Sequence, residues 1–194
     1  MIKAILFDFF DVVRQDAFHA WMNNHGYTRD DPPGEVSRRM DLGEINGRQF
    51  HEELAQISGQ TTEELRAEFA ENEKFDQGVI DYIVGLRNEF KTALLSNAES
   101  DYLRNILKEK DLEKLFDVIL ISSETGYAKP DKEMFEMALE KLGVQPGEAV
   151  FVDDQMKNVT AAEKVGIHGI QFQTHEQLKG ELEKIVLDCK HKQG

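Results

Sequence analysis

The chain has 194 residues, of which 40% are hydrophobic and 31% are charged, a composition typical of one globular domain with room for a subdomain. Its formal net charge of −14 argues against nucleic acid as a partner, because an acidic surface repels a phosphate backbone. No apolar stretch is long enough to span a bilayer, the first residues lack the features of a signal peptide, and Cys189 is the single cysteine. We therefore expect a cytoplasmic protein that has no membrane partner and no internal disulfide.

The first predicted element is a short buried strand. Ile2 to Phe7 is an apolar run of the kind found in parallel sheets, and Asp8 follows it directly. Open α/β sheets bind their ligands at the carboxyl ends of their strands, which makes Asp8 a candidate site residue. An Asp in this position is more often a turn or helix-cap residue, so Asp8 alone does not establish a site.

The next segment, residues 14–76, has helical periodicity and no strand pattern, which predicts an all-helical insertion. We expect a helix from Asp16 to Gly26, followed by a turn cluster at Asp30 to Gly34. A second helix should be capped by Asn46 and end at Gly59, and a third should begin with the capping box of Thr61 and Glu64.

After residue 77 helices and strands alternate regularly. Helices are predicted at 79–86, 100–110, 131–142, 156–165 and 176–189, and strands at 91–95, 116–121, 149–152 and 169–172. This alternation indicates an α/β domain with a parallel sheet covered on both faces. The tail His191 to Gly194 is expected to fray.

Chemically useful side chains lie at the ends of these strands. Asp153 and Asp154 are adjacent acids that a hard cation such as Mg²⁺ would hold together, although Asp154 could also cap the next helix. Ser96 could hold a phosphate oxygen, although alone it is better explained as a helix cap. Lys129 could neutralise both Asp8 and a phosphoryl group, whereas alone it would be a surface residue. The four together are far more specific than any one of them.

The order of these residues carries a family resemblance. The chain resembles the haloacid dehalogenase-like hydrolase superfamily in its segments Phe7 to Val13, Leu94 to Asn97, Ala128 to Pro130 and Val152 to Asp154. The segment from Leu42 to Ile45, with Phe50, is similar to the small helical cap of sugar-phosphate phosphatases in that superfamily. The resemblance covers nearly the whole chain.

This resemblance implies a fold and a division of the chain. The expected fold is a Rossmann-like, doubly wound parallel sheet of order 3-2-1-4-5 with a small all-helical cap. Residues 1–13 and 77–194 would form the core domain, and residues 14–76 would form the cap subdomain. The protein would be a monomer or a homodimer.

The resemblance also implies roles for individual residues. Asp8 would be the nucleophile that forms an aspartyl-phosphate, and it would share Mg²⁺ with the backbone carbonyl of Phe10 and the carboxylates of Asp153 and Asp154. Ser96 and Lys129 would hold the phosphoryl oxygens. Asn97 would lend its backbone N–H, and Asn158 would orient neighbouring groups. The implied substrate is a small phosphorylated metabolite.

One position departs from the family pattern. Phosphatases of this family usually carry a second Asp two residues after the nucleophile, which protonates the leaving oxygen and then activates water. Here that position is Phe10, which cannot transfer a proton, and Asp11 stands one residue further on. Proton transfer by such a group is worth roughly a hundred- to ten-thousand-fold in rate.

Three functions stay open. The first is a Mg²⁺-dependent phosphatase, slow or restricted to good leaving groups, helped by water, Asp11 or a cap residue. The second is a weak or inactive family member that binds a phosphorylated ligand. The third is a haloacid dehalogenase, because those enzymes also carry an aromatic residue at the position of Phe10, although they have no use for Asp153 and Asp154 as metal ligands.

Substrate contacts in the cap are less defined by sequence. The candidates for contacting a sugar or a second anionic group are Trp21, Arg14, Arg38, Arg39 and Arg48. Trp21 is better explained as core packing, and the arginines as a solvated face. The cap histidines His19, His25 and His51 are interpreted as packing or surface residues, because no histidine spacing indicates zinc.

Overall fold

A five-stranded parallel sheet forms the centre of the molecule, described here by a computed structural model of residues 1–191. The strands are β1 (Ala4–Phe7), β2 (Lys91–Ser96), β3 (Val118–Ile121), β4 (Ala149–Asp153) and β5 (His168–Gln171). Their order across the sheet is β3-β2-β1-β4-β5, and every neighbouring pair is parallel. The predicted order 3-2-1-4-5 is therefore confirmed.

Helices cover both faces of this sheet. Those that follow residue 76 are α5 (Gln77–Leu86), α6 (Ser100–Glu109), α7 (Ser122–Thr125), α8 (Lys132–Leu142), α9 (Met156–Val165) and α10 (His175–His191). Within residues 1–191, no helix is both long and apolar enough to cross a membrane. The predicted fraying of the tail falls mainly on residues 192–194, which lie outside the described residues.

The alternation of side chains along each strand explains the two covered faces. Ile5, Phe7 and Val150 pack into one hydrophobic cluster with α5, α6 and α10, whereas Leu6 and Phe151 pack into another with α8 and α9. Successive strand residues point to opposite faces, so a strand buried on both sides must be apolar throughout. This is why the strands appear in the sequence as short continuous apolar runs.

Four helices lie between β1 and α5. They are α1 (Ala17–Asn24), α2 (Pro32–Asp41), α3 (Gly47–Ser58) and α4 (Thr62–Asn72). Their buried faces form a separate hydrophobic cluster around Trp21, Leu54 and Leu65, each of which is fully buried. Trp21 is therefore a core residue, as the sequence analysis favoured. We keep residues 14–76 as a proposed cap, without assigning its limits more closely.

The helix ends show why these segments fold locally. The predicted capping box of Thr61 and Glu64 is present, and Asn46, which was predicted as a helix cap, also forms a capping box with Gln49. The expected turn at Asp30 to Gly34 was wrong in part, because Pro32 begins α2. Proline is well suited to the first helical position, where its fixed φ is helical and no N–H partner is needed.

Candidate active site

The carboxyl ends of β1 and β4 bring the predicted acids together around one lysine. Lys129 Nζ lies 2.7 Å from Asp8 Oδ1 and 2.8 Å from Asp153 Oδ2, and all three residues are buried. Single carboxylate oxygens of Asp8, Asp153 and Asp154 lie within 4.8 Å of one another. Residues that are far apart in sequence thus form one compact charged cluster.

Backbone pairing in the sheet fixes where the two aspartates stand. The backbone N–H of Asp8 donates to the carbonyl of Val152 at 2.9 Å, which extends the β1–β4 pairing by one residue. Asp8 Oδ1 then accepts from the backbone N–H of Phe9 at 2.7 Å. A short hydrogen bond to an adjacent backbone N–H limits the directions in which the Asp8 carboxylate can point.

Asp153 is held from the side of α9. Asn158 Nδ2 donates to both carboxylate oxygens of Asp153 at 3.0 Å, and the backbone N–H of Gln155 donates to Oδ1 at 2.8 Å. Asn158 therefore orients an acidic group of the cluster, which matches the role that the family resemblance implied for it.

Lys129 is positioned by an amide clamp that the sequence did not indicate. Asn97 Nδ2 donates to the carbonyl of Lys129, and the Lys129 N–H donates to Asn97 Oδ1, both at 2.8 Å. The clamp ties the loop after β2 to the loop that carries Lys129. Asn97 was expected to act through its own backbone N–H, so this use of its side chain is an addition to that expectation.

The charge of the cluster is unbalanced. With all three carboxylates and Lys129 ionised, it carries two net negative charges in a buried position. Burial raises the pKa of Asp8 well above its usual value against the attraction of Lys129, while burial and the charge of Asp153 raise the pKa of Asp154 to about 6. A divalent cation would remove this imbalance, and oxygen ligands of this kind suit Mg²⁺.

Three buried oxygen atoms at the site lack partners. Ser96 Oγ, Asp154 Oδ1 and Asn158 Oδ1 make no hydrogen bond with any described residue. A buried polar atom without a partner costs free energy, which a bound ligand can recover. The residues therefore fit a metal ion beside Asp154 and a polar ligand beside Ser96.

Phe10 and Asp11 point away from the cluster in different ways. The Phe10 ring stacks on Tyr102 at 6.4 Å between centroids. Asp11 has a φ of 57°, in the left-handed region, and its carboxylate accepts from the Asp16 N–H at 2.8 Å and contacts His19 Nδ1 at 2.7 Å. The Asp11 carboxylate therefore points to the start of α1 and does not simply replace the missing acid.

A cavity lies between the helical insertion and the strand ends. It encloses about 890 Å³ of empty space, part of which is open to solvent. Asp8, Phe10, Asn97 and Lys129 line it from the sheet side, whereas Ser96, Asp153 and Asp154 do not. The cap supplies an apolar part of the wall, made of Phe18, Met40, Phe50 and Phe69.

The arginines that the sequence suggested for substrate contact do not line the cavity. None of the four candidate arginines lines it: Arg14 contacts Tyr102 and Glu73, and Arg38, Arg39 and Arg48 pair with cap glutamates. The cavity is lined instead by Arg29, Lys157, Asp41 and His19. None of these four residues lies in a recognisable sequence motif, so only the tertiary structure shows that they line the cavity.

The sequence is similar to proteins of known function. A sequence model of the family described as haloacid dehalogenase-like hydrolase matches residues 2–166. D-ribitol-5-phosphate phosphatase from Bacteroides thetaiotaomicron is 27% identical over 204 residues, covering 96% of this chain and 99% of that enzyme. Acyl-CoA dehydrogenase family member 10 from Mus musculus is 40% identical over 73 residues, which are 38% of this chain and 7% of that protein.

A solved structure shares the fold over most of the chain. It is a HAD family enzyme from Bacteroides thetaiotaomicron, an Asp-to-Ala mutant in complex with magnesium and inorganic phosphate. Its TM-score is 0.71 at 20% sequence identity, and the match covers 89% of this chain and 95% of that one. At this level of identity the likeness establishes the shared architecture.

Proposed function

Because the chain belongs to the haloacid dehalogenase-like hydrolases, we propose that it hydrolyses a phosphomonoester of a small metabolite with the help of Mg²⁺. The observation that carries the proposal is the buried lysine held between Asp8 and Asp153, with Asp154 beside them. The similar phosphatase and the magnesium–phosphate complex of the structural neighbour support the same chemistry.

The metal would be held by the carboxylates of Asp8, Asp153 and Asp154, together with the backbone carbonyl of Phe10. When bound, Mg²⁺ supplies charge neutralisation for the phosphoryl oxygens and lowers the repulsion between them and the acids. The two excess negative charges of the cluster and the unpartnered Asp154 Oδ1 support this assignment.

The reaction assigns each remaining residue a task. Asp8 attacks the phosphorus atom and forms an aspartyl-phosphate, which water then hydrolyses. Lys129 opposes the effect of burial on the pKa of Asp8 and neutralises a phosphoryl oxygen. Ser96 Oγ and the backbone N–H of Asn97 donate to the other phosphoryl oxygens. The Asn97 side chain holds the loop of Lys129 in place.

The substrate would be a small molecule whose non-phosphate part enters the cavity beneath the proposed cap. Apolar and charged walls lie side by side there, with Phe18, Phe50 and Met40 near Arg29 and Lys157. Residues 14–76 would act as the lid that excludes water from the site. We propose a cytoplasmic location and a monomeric or homodimeric protein.

Phe10 limits the turnover that we expect of this phosphatase. Without the usual acid at this position, turnover is expected to be slow for substrates with poor leaving groups. The absence of an acid at Phe10 also supports the second candidate function, a non-catalytic protein that binds a phosphorylated ligand. A dehalogenase is the third, since Phe10 is compatible with it, but the unbalanced acids around Lys129 favour a metal-dependent phosphatase.

Phosphate release tests the proposal. The protein is incubated with a panel of phosphorylated metabolites, with Mg²⁺ or with a chelator, beside Asp8→Asn as the matched variant. Release that the chelator and Asp8→Asn both abolish supports the phosphatase. Mg²⁺ binding without release from any compound favours the binding protein, and metal-independent halide release from a 2-haloacid favours the dehalogenase.

A further inference from the structure

Phe10 leaves the proposed reaction without a proton donor two residues after Asp8. A substitute must carry a transferable proton and line the cavity that contains Asp8. Asp16, His19, Asp41 and His51 of the helical insertion meet both conditions. Of these four, His19 has a carboxylate from the β1 loop bound directly to its ring, whereas His51 Nδ1 contacts the backbone carbonyl of Gly47.

Asp11 and His19 form a hydrogen-bonded dyad. Asp11 Oδ2 lies 2.7 Å from His19 Nδ1, and Asp11 Oδ1 accepts from the Asp16 N–H at 2.8 Å. Both Asp11 oxygens are therefore engaged, which fixes the carboxylate. Asp11 itself does not line the cavity, whereas His19 does, so the imidazole stands between Asp11 and the reaction space.

A carboxylate bound to Nδ1 determines which ring nitrogen is available. It accepts the Nδ1 proton, so that Nε2 is the atom left for proton exchange with a ligand. This arrangement of carboxylate, imidazole and reacting group is an efficient general acid–base unit in hydrolytic enzymes.

We propose that His19, oriented by Asp11, protonates the leaving oxygen and then activates the hydrolytic water in place of the acid missing at Phe10. This inference rests on the proposed phosphatase function. His19 is the catalytic residue because it exchanges the proton, and Asp11 is a positioning residue that acts through it.

The two steps balance in atoms and charge. In the first, an Asp8 oxygen bonds to phosphorus, the bond to the leaving oxygen breaks with its electron pair, and the Nε2 proton of cationic His19 passes to that oxygen. In the second, water attacks the phosphorus of the aspartyl-phosphate, its proton passes to Nε2, and the electron pair of the breaking bond returns to Asp8. Both His19 and Asp8 are then in their starting forms.

The charges around His19 favour the cationic form that the first step needs. Burial alone lowers the pKa of His19, but its hydrogen bond to Asp11 and the charge of Asp16 outweigh burial and the opposing charge of Arg29, so the pKa is raised. The charge of His19 in turn lowers the pKa of Asp154 at the end of β4, so these two groups attract each other. Among the described groups that shift the pKa of His19, the acids Asp11 and Asp16 outweigh Arg29.

Arg29 occupies Nε2 when no substrate is present. Its guanidinium contacts that nitrogen, and the side chain is exposed at the edge of the cavity. Within residues 1–191, no ion pair to a carboxylate holds Arg29. Its guanidinium can therefore turn from the imidazole to an anionic substrate, which frees Nε2.

The main test compares leaving groups. kcat/KM is measured for glycerol phosphate, whose leaving oxygen needs a proton, and for p-nitrophenyl phosphate, whose leaving oxygen does not. His19→Gln should lower the first by at least about 100-fold and the second by less than about tenfold. Asp11→Asn should show the same selectivity to a smaller extent. His25→Gln is the matched control, since His25 ends the same helix and pairs with Glu68 outside the cavity.

A rescue variant separates catalysis from folding. Adding Phe10→Asp to His19→Gln should restore hydrolysis of glycerol phosphate, because it returns an acid to the usual position. An equal loss for both substrates with no rescue would assign His19 a structural role and overturn the proposal. A selective loss in Asp41→Asn with none in His19→Gln would also overturn it.

A measurement without substrate or metal tests the dyad itself. Nitrogen NMR of the imidazole should show the Nδ1–H tautomer of neutral His19 and a pKa above that of a free histidine, and Asp11→Asn should lower that pKa. An Nε2–H tautomer that Asp11→Asn leaves unchanged would overturn the proposal. Wild-type protein that releases no phosphate from either compound would instead refute the proposed function, and the catalytic role of His19 with it.

Discussion

Lys129→Met tests whether the buried lysine is the charge that holds the site together. The substitution keeps the length of the side chain and removes the cation between Asp8 and Asp153. Because the lysine side chain is 1% exposed, solvent cannot replace its charge. Removing one partner of a buried ion pair costs about 3–5 kcal/mol of stability, since it leaves an uncompensated buried charge.

An independent limit gives a similar magnitude. Without the lysine charge, the acidic cluster can lower its charge repulsion by binding a proton at Asp8. Protonating one ordinary carboxyl at pH 7 costs about 4 kcal/mol. We therefore expect the metal-free variant to lose about 3–4 kcal/mol, or roughly 6–16 °C in Tm for a chain of this size. The matched control is Lys132→Met, which removes a surface pair with Glu136 at 3.1 Å and should cost less than about 1 kcal/mol.

The stability cost of Lys129→Met should depend on pH and on Mg²⁺, because both change the charge of the acidic cluster. In Lys129→Met the Asp8 carboxyl has a folded-state pKa above its unfolded value. The loss of stability therefore grows as pH rises above about 4 and should be smaller at pH 5 than at pH 7. Mg²⁺ should narrow the gap to wild type, because a cation in the cluster replaces the lost charge. Urea unfolding of the two variants and wild type, at pH 5 and pH 7 and with Mg²⁺ or chelator, measures the cost of each substitution, its pH dependence and its dependence on Mg²⁺. Equal costs for Lys129→Met and Lys132→Met, or no effect of Mg²⁺, would refute the reasoning.

Three further substitutions probe separate features. Phe10→Asp should raise turnover of alkyl phosphates less in wild type than in His19→Gln, because His19 already supplies the proton in wild type, and steady-state kinetics on both backgrounds will show this. Burial raises the pKa of Asp41 to about 8, so its charge costs increasing stability as pH rises from about 4 to that value. Asp41→Asn should accordingly gain about 3–4 kcal/mol over wild type between pH 5 and pH 8, and a constant difference in urea midpoint would contradict it. In Gly34→Ala the new Cβ would lie 2.0 Å from the Arg29 carbonyl, so we expect a loss of about 1–3 kcal/mol, against little change in Gly47→Ala, where no atom lies within 4 Å.

The sheet and its order could be predicted because their signals are local and regular. Each strand is a short apolar run, and each following helix has its own caps and amphipathic period. Asp8 and Asp153 then meet because parallel strands end at one edge, and family motifs supply the order of the strands. The start of α2 at Pro32 was missed because the same residues also suit a turn.

The cavity could not be predicted in the same way. Arg29 and Lys157 come from different parts of the chain, and each alone resembles an ordinary surface cation. His19 was interpreted as a packing or surface residue because no histidine spacing indicated a metal site. Its partner Asp11 lies eight residues away, in a loop whose left-handed backbone the sequence does not specify. Contacts that depend on how the helical insertion meets the sheet have no signature in local pattern.

As the proposed nucleophile, Asp8 becomes covalently phosphorylated during turnover, and this intermediate can be trapped. Wild-type protein with Mg²⁺ is mixed with a phosphorylated substrate, quenched in acid, digested and examined by mass spectrometry, with Asp8→Asn beside it. We expect phosphate on the peptide that contains Asp8, removed by hydroxylamine and absent from the variant or from samples with chelator. Phosphate release that continues in Asp8→Asn, or a phosphorylated residue elsewhere in the chain, would show that Asp8 is not the nucleophile.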